Sequence, residues 1–104
     1  MILKYIMMEK YIGQLKNNLR DGKGIMYYIN GDRYEGNYKN DIKEVKGICY
    51  WNNGDRYEGD LKNDKVEGKG IYYYNNGDRM MGDYFNDNPR NSCYVTLWWE
   101  SWEL

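Results

Sequence analysis

The chain has 104 residues, with 15 lysines and arginines against 16 aspartates and glutamates and a formal net charge of −1. This balance gives no general attraction to nucleic acid or to an anionic membrane. The chain has no histidine, which excludes the Ser-His, Cys-His and metal-His arrangements of many enzymes. We therefore predict a protein that is not an enzyme, binds no nucleic acid and holds no metal or cofactor.

A four-residue run, Asn-Gly-Asp-Arg, returns at 23-residue steps, beginning at Asn30, Asn53 and Asn76. Self-similarity at such a period indicates one supersecondary unit stacked on copies of itself. Glycines keep the same step in two further columns, which are Gly13, Gly36, Gly59 and Gly82, and Gly24, Gly47 and Gly70. We divide the chain into a degenerate first unit (1–23), three clear repeats (24–46, 47–69 and 70–88) and a C-terminal cap or interface segment (89–104).

The first unit keeps the pattern only in part. Residues 2–6 align with residues 25–29, but Met7 and Met8 stand where the later copies have Asn-Gly. This apolar opening lacks the apolar region and cleavage site of a signal peptide. No stretch of the sequence approaches the ~20 apolar residues of a membrane span. We expect a soluble, cytoplasmic protein.

Each repeat predicts a β-hairpin. Asn30 and Gly31 stand between two aromatic-rich runs, which is the strongest short-range signal for a hairpin with a two-residue type I′ turn. If both residues occupy the centre of that turn, Tyr28 faces Arg33 and Tyr27 faces Tyr34. The same register is expected around Asn53 and Asn76.

This register assigns the side chains to two faces, because alternate residues of a strand point to opposite sides. One face would carry tyrosine pairs such as Tyr27 and Tyr34, with a ring lying over the bare backbone of Gly36. The other face would carry an arginine or lysine that shields an aromatic ring in every hairpin. Those pairs are Tyr5 with Lys10, Tyr28 with Arg33, Trp51 with Arg56, and Tyr74 with Arg79.

The segments between hairpins, such as 40–46 and 63–69, are short, charged and rich in turn formers. Connections of that length suit an antiparallel meander and are too short for a crossover helix. We therefore predict an all-β fold without significant helix, in which tandem antiparallel 23-residue β-hairpin repeats form one elongated, twisted sheet. The sheet should have about eight to ten strands.

Carboxylates also recur in every unit, at Asp32, Asp55 and Asp78, with Glu35 and Glu58 nearby. Their repetition favours a structural role, in which they stabilise the turns through local hydrogen bonds, over acid–base catalysis. A calcium site in these turns is less well supported, because the ion needs ~6–8 converging oxygens.

Two cysteines, Cys49 and Cys93, lie nearly two repeats apart. A sheet would hold them far beyond the ~7 Å Cα separation that a disulfide tolerates. We expect two reduced thiols, as in a cytosolic protein.

The C-terminal segment 89–104 predicts a last strand over 94–99 and three large rings, at Trp98, Trp99 and Trp102. A repeat stack exposes a terminal edge that must be blocked or paired. The rings could therefore cap the last aromatic face, or they could form the interface of a homodimer, since tryptophans are common interface anchors.

The string Asn-Gly-Asp-Arg-Tyr-Glu-Gly-x-x-Lys-Asn, with Gly-Lys-Gly and an aromatic run before it, resembles the MORN repeat, named for membrane occupation and recognition nexus. The family's Tyr-Glu-Gly falls on 34–36 and 57–59, and its paired glycines fall on Gly22 and Gly24 and on Gly68 and Gly70. Val45 replaces the first glycine of one pair. Where the family often has histidine, the chain has Asp21, Glu44 and Glu67.

The resemblance implies a non-catalytic scaffold or adaptor at the cytoskeleton or the cytoplasmic face of a membrane. We expect it to bind a peptide or helix of a partner protein along a repeated aromatic groove. The expected groove residues are Tyr11, Tyr27, Tyr34, Tyr38, Tyr50, Tyr57 and Tyr73.

Two alternatives remain. The family has been linked to phosphoinositides, and an anionic phospholipid head group would be bound by Lys16, Arg33, Lys39, Arg56, Lys62 and Arg79. These cations are interleaved with acids, whereas stable attachment usually needs ~4–8 clustered basic residues. The hairpins also resemble choline-binding repeats, in which rings form a cage for a quaternary ammonium, although those repeats are shorter and belong to exported proteins.

Overall fold

The computed structural model describes residues 9–96, which form eight antiparallel strands in a single sheet. The strands are β1 (Lys10–Lys16), β2 (Leu19–Tyr27), β3 (Arg33–Lys39), β4 (Ile42–Tyr50), β5 (Arg56–Lys62), β6 (Lys65–Tyr73), β7 (Arg79–Phe85) and β8 (Asn88–Val95). Their order in the sheet is their order in the chain, and the molecule measures 53 × 26 × 21 Å. The predicted all-β array of hairpins is confirmed.

The strands are joined by two kinds of turn, which alternate along the chain. At one end of the sheet, two-residue turns such as Asn40-Asp41 have positive φ at both residues, 48° and 72°, as a type I′ turn requires. At the other end, only the glycine of each Asn-Gly pair has positive φ, 96° at Gly31. There the Gly31 N–H donates to the Tyr28 carbonyl and the Tyr28 N–H donates to the Asp32 carbonyl, each at 3.0 Å. The Asn-Gly loop therefore has three residues.

The predicted register is wrong because of this extra loop residue. Met26 lies opposite Tyr34, and Tyr27 lies opposite Arg33. A shift of one residue moves the side chains of a strand to the other face of the sheet. The segments 40–46 and 63–69 are also not open connections, since β4 begins at Ile42 and β6 at Lys65.

The core lies on one side of the sheet, which we call the groove face and which contains Tyr34 and Tyr57, 1% and 0% exposed. The other buried side chains of residues 9–96 are Met26, Tyr38, Leu61, Val66 and Tyr84. The Tyr34 ring covers Gly47 so closely that a Cβ there would lie 2.4 Å from Tyr34 Cε1. Tyr57 covers Gly70 in the same way. The expectation that rings lie over bare glycine backbone is confirmed at these positions.

The opposite side, which we call the ladder face, alternates tyrosine and arginine along the sheet. The guanidinium carbon of Arg33 lies 4.0 Å from the centre of the Tyr50 ring, and that of Arg56 lies 4.1 Å from the Tyr73 ring. Arginine therefore shields a ring, as predicted. The shielded rings differ from the predicted Tyr28 and Trp51, because the register differs.

Hydrogen bonds join successive repeats at the Asn-Gly end of the sheet. The Asp32 N–H donates to Asn30 Oδ1 at 2.9 Å, and Asp32 Oδ1 accepts from the Asn52 N–H at 2.8 Å. Asp55 accepts from the Asn75 N–H in the same manner, at 2.9 Å. The aspartates thus have the structural role that their repetition predicted, and they also link each loop to the next.

The two-residue turns make an equivalent link at the opposite end. Asp41 Oδ1 accepts from the backbone N–H of Arg20, and Asp64 Oδ1 accepts from that of Lys43, each at 2.8 Å. Asp87 repeats the contact with Val66, also at 2.8 Å. Each hairpin is therefore tied to its neighbour at both ends, which fixes the step of the array.

Both cysteines are free thiols, as expected. Cys49 lies on the groove face between Tyr34 and Tyr57, whereas Cys93 is paired with Met81 in the last hairpin. Burial raises the pKa of the Cys49 thiol to about 11. The pair of Tyr5 with Lys10 and the interface residues Trp98, Trp99 and Trp102 include residues outside the described part, so these expectations stay predictions.

Candidate functional site

A groove of about 540 Å³ runs along the groove face. Three rings that are partly buried, those of Tyr28, Trp51 and Tyr72, line it. Tyr34, Leu61, Val66 and Tyr84 are buried and also line it. A volume of this size lies within the ~300–1,000 Å³ of typical ligand sites.

Two of the three partly buried rings, those of Tyr28 and Trp51, come from one repeated position, which is Tyr74 in the next repeat. Tyr28, Trp51 and Tyr74 each follow the last residue of a strand, directly before the Asn-Gly loop. Tyr28 belongs to the groove face because the Lys43 ammonium lies close to both its ring and that of Tyr34, 4.9 and 5.0 Å from the two ring centres. Tyr28 and Trp51 therefore pack against the buried core directly before the loop that follows each of them.

In the later repeats the rings form a continuous row, which we call the aromatic ribbon. The Trp51 ring stacks on Tyr72 with centres 5.1 Å apart. Tyr72 then contacts Tyr74 at 4.8 Å, and Tyr74 contacts Tyr94 at 5.5 Å. Contacts of this kind contribute beyond the burial of their area, so the ribbon is a preorganised apolar surface.

Carboxylates of the Asn-Gly loops fix two hydroxyls of the ribbon. Tyr72 Oη donates to Asp55 Oδ2 at 2.8 Å, and Tyr94 Oη donates to Asp78 Oδ2 at 2.5 Å. Burial, and then the bond to Asp55, raise the pKa of Tyr72 above its ordinary value. The raised pKa keeps the Tyr72 hydroxyl protonated at neutral pH, so the ribbon presents a neutral ring beside the carboxyl group of Asp55.

The first half of the groove face carries basic side chains of its own. The Arg20 guanidinium carbon lies 4.8 Å from the centre of the Tyr38 ring, and Arg20 Nε donates to Asp41 Oδ1 at 2.9 Å. One repeat later, Lys43 lies over the rings of Tyr28 and Tyr34. In the repeat after that, this position is Val66. A basic side chain therefore lies over rings of the groove face at this position in two repeats, and valine replaces it in the next.

The seven tyrosines predicted for the groove divide between the two faces. Tyr11, Tyr34, Tyr38 and Tyr57 lie on the groove face, and the last three are buried and form its floor. Tyr27, Tyr50 and Tyr73 lie on the ladder face, opposite or beneath arginines. The prediction that these seven tyrosines line one face is therefore wrong.

The rings that line the groove were missed because the register placed Tyr28 and Trp51 on the shielded face. A second signal in the sequence pointed to the correct register. Pairs of Asn with Asn or Asp also recur at the same step, and these pairs form the two-residue turns. The pairs are 17–18, 40–41, 63–64 and 86–87.

The six cations expected to bind a lipid head group lie at opposite ends of the strands. Arg33, Arg56 and Arg79 begin their strands beside the Asn-Gly loops. Lys16, Lys39 and Lys62 end strands beside the two-residue turns. A strand of this length separates the two rows by about 20 Å. They do not form one cluster.

The ladder face has a trough of its own, of about 610 Å³. Its floor is strand backbone at glycines such as Gly59, and its sides are Ile48, Ile71 and Met81. The tyrosine beside it, Tyr73, is already covered by Arg56. The groove face is the better candidate site, because the stacked rings of Trp51 and Tyr72 line its groove, whereas Tyr73 beside the trough lies beneath Arg56.

No cluster of metal-ligating side chains and no membrane-spanning helix is found in residues 9–96. This part of the chain contains no group of three or more carboxylate, thiol or imidazole side chains that could hold a metal ion. It also contains no helix long and apolar enough to cross a bilayer.

The repeats of this sheet match a known family. The family model described as MORN repeat matches three consecutive 23-residue segments, 11–33, 34–56 and 57–79. No curated protein matches the chain at a significant level.

Proposed function

Because the chain belongs to the MORN-repeat family, a family of generally non-enzymatic repeat modules often found in protein or membrane interactions, we propose that it is a scaffold that binds a segment of a partner protein. The observation that carries the proposal is the groove of about 540 Å³, whose lining includes the partly exposed rings of Tyr28, Trp51 and Tyr72.

The chemistry of the groove suits a peptide. Its rings offer a large apolar surface, and the carboxylates and the lysine along it offer places for charged side chains. An amphipathic helix or an extended segment meets such a surface through side chains on one face. Tryptophan and tyrosine are also the residues that most often dominate the binding energy of interfaces.

The proposal can be tested with peptides selected from a random library displayed on phage, with the purified chain as the target. We expect selected peptides to lose about thirtyfold or more in affinity when Tyr28 and Trp51 are both changed to alanine, since such anchors commonly contribute ~2 kcal/mol or more. Fluorescence polarisation with labelled peptides gives the affinities.

The chain offers a matched control for this experiment. Tyr27 and Tyr73 also occupy equivalent positions of two repeats, but they lie on the ladder face opposite Arg33 and Arg56, and neither lines the groove. The double change of Tyr27 and Tyr73 to alanine should alter peptide affinity less than twofold. Equal losses in both double variants, each shown to be folded by circular dichroism, would contradict a site on the groove face.

Binding to phosphoinositides is the second candidate function, and the separation of the two rows of cations argues against it. Vesicles of phosphatidylcholine with a few per cent of a phosphoinositide are the direct probe. We expect little sedimentation of the chain with them. Strong sedimentation that weakens as salt rises would instead favour the lipid function, because charge-driven attachment is screened by salt.

A further inference from the structure

We infer that the Trp51 end of the groove binds a lysine or arginine side chain of the partner segment. The inference rests on the proposed function and adds the chemical class of one partner residue and the direction in which the segment lies. It starts from a difference between two successive repeats.

The earlier repeat supplies the basic side chain itself. Lys43 places its ammonium 4.9 Å from the centre of the Tyr28 ring and 5.0 Å from that of Tyr34. The ring of an aromatic side chain attracts a cation at such distances. The backbone N–H of Lys43 is held by Asp64 Oδ1 at 2.8 Å, which fixes the residue beside the rings.

The next repeat keeps two aromatic rings and the carboxylate of this arrangement but loses the charge, and it has Tyr72, which stacks on Trp51, in place of Cys49. At the equivalent positions, Trp51 and Tyr57 replace Tyr28 and Tyr34, and Val66 replaces Lys43. The Val66 N–H is held by Asp87 Oδ1 at 2.8 Å, as Lys43 is by Asp64. Val66 is 8% exposed and brings no charge to the rings. Tryptophan is also the ring that binds cations best.

The surrounding charges favour a cation at this end. Asp87, which holds the Val66 N–H and is exposed, and Asp32, which holds the Asn52 N–H next to Trp51, border the groove at this end. Within residues 9–96, neither forms an ion pair with a lysine or an arginine. Lys43 occupies the Tyr28 end of the same groove and repels a second cation there. A bound segment would therefore place its basic residue on Trp51 and a neutral or acidic residue beside Lys43.

The test uses N-acetyl-lysinamide as the probe and N-acetyl-norleucinamide, which lacks the ammonium, as its control. Shifts of backbone amide signals and of the Trp51 indole N–H follow each titration by NMR. We expect the lysine probe to bind about three- to tenfold more tightly than the control. The largest shifts should lie at Trp51, Val66 and Asp87.

Two variants move the ammonium group between the two repeats. Val66→Lys gives the second repeat its own ammonium, and it should abolish the preference for the lysine probe at Trp51. Lys43→Val removes the ammonium from the first repeat, and it should create a second set of lysine-specific shifts at Tyr28. The second variant adds no charge to a buried position, so it tests the inference even if Val66→Lys fails to fold.

Equal affinity of the two probes for the wild-type chain would overturn the inference. If selected peptides still depend on Tyr28 and Trp51 in that case, the proposed function stands without it. If the peptides do not depend on these rings, the proposed function fails, and the probe titrations still decide separately whether Trp51 prefers a cation.

Discussion

The two faces of the sheet use the same kind of residue in opposite ways. Tyr50 and Tyr73 on the ladder face are each covered by an arginine of the neighbouring strand. On the groove face, Tyr34 and Tyr57 are themselves the covers, since their rings lie over glycine backbone. Adjacent residues such as Tyr50 and Trp51 therefore differ in role because one faces arginine and the other faces the groove. Whether a tyrosine of this chain is covered by arginine or itself covers glycine therefore depends on whether it occupies an odd or an even position of its strand.

The largest expected effect follows from the burial of Tyr57. Tyr57→Ala removes a ring that is 0% exposed, so we expect it to lower the free energy of unfolding by about 3–5 kcal/mol. Urea unfolding followed by circular dichroism measures the change. Tyr73→Ala on the ladder face is the matched control and should cost about 1 kcal/mol, mainly from its contact with Arg56. Similar losses in the two variants would break the contrast between the faces.

Glycine beneath a tyrosine ring gives the next test. A Cβ added at Gly70 would lie 2.2 Å from Tyr57 Oη and 2.4 Å from its Cζ. Since the ring is fully buried, Gly70→Ala should destabilise the fold by about 1–3 kcal/mol. The neighbouring Lys69 is exposed, and Lys69→Ala should cost under about 1 kcal/mol because it loses only a surface ion pair with Asp83. The urea midpoints of both variants measure these losses. A loss in Gly70→Ala no larger than that in Lys69→Ala would show that the Tyr57 ring can move aside.

A gain in stability is expected from Val45→Gly. Val45 has a φ of 67°, in the left-handed region that disfavours a β-branched residue, whereas the equivalent Gly22 and Gly68 have φ of 92° and 107°. The change should add about 0.5–1 kcal/mol, because relief of strain exceeds the extra flexibility that glycine gives the unfolded chain. Val45→Ala, which keeps a Cβ, should gain less. A loss of stability in Val45→Gly would show that this part of β4 is unstrained.

The two faces should lose stability at opposite ends of the pH scale. On the groove face, burial raises the pKa of Tyr34 and Tyr57 and raises that of Tyr84 to about 12. Because the unfolded tyrosines ionise near ~10, this stabilisation is complete below that pH and is lost as pH rises towards 12. Thermal midpoints measured from about pH 9 upwards should fall, and Tyr84→Phe should reduce the fall.

Acid should lower stability through the ladder face, and we expect this to be the smallest of the predicted effects. A hydrogen bond from the Lys46 ammonium, followed by one from the Lys69 N–H, lowers the pKa of Asp60. Its contribution is present above the unfolded carboxyl pKa of ~3.9 and is lost as pH falls through the lower folded value. Asp60→Asn should therefore be less stable than wild type near pH 6 and closer to it near pH 2.5. A constant difference across this range would show that Asp60 is not held by these bonds.

The sequence was sufficient to predict the features that recur in every repeat. It was insufficient to predict the face on which each side chain lies, because that depends on whether the loop has an even or an odd number of residues. The step from Asn30 to Asn53 predicted the hairpin array, and the recurrence of Asp32 and Asp55 predicted their structural role. Asn-Gly suits a two-residue turn, but a three-residue loop also places glycine at a position with positive φ. The sequence signal is the same in both cases, and the difference of one residue reverses the faces.

The aromatic ribbon could not be found from local pairing at all. Tyr72 stands where the preceding repeat has Cys49, so its ring breaks the repeat pattern rather than following it. Its contacts with Trp51 and with Asp55 come from the previous hairpin. Such contacts depend on how far each hairpin advances along the sheet, which the hydrogen bonds between successive loops determine.

Those loop-to-loop bonds, such as the one from the Asn52 N–H to Asp32, connect only neighbouring repeats. A gene that gains or loses one whole repeat would keep every such bond at the new junction, and the groove would simply become longer or shorter by one ring. A repeat that became one residue longer or shorter would instead exchange the two faces beyond the junction. Evolution can therefore adjust the length of this groove in whole steps without redesigning it, provided that the alternation of odd and even positions is preserved.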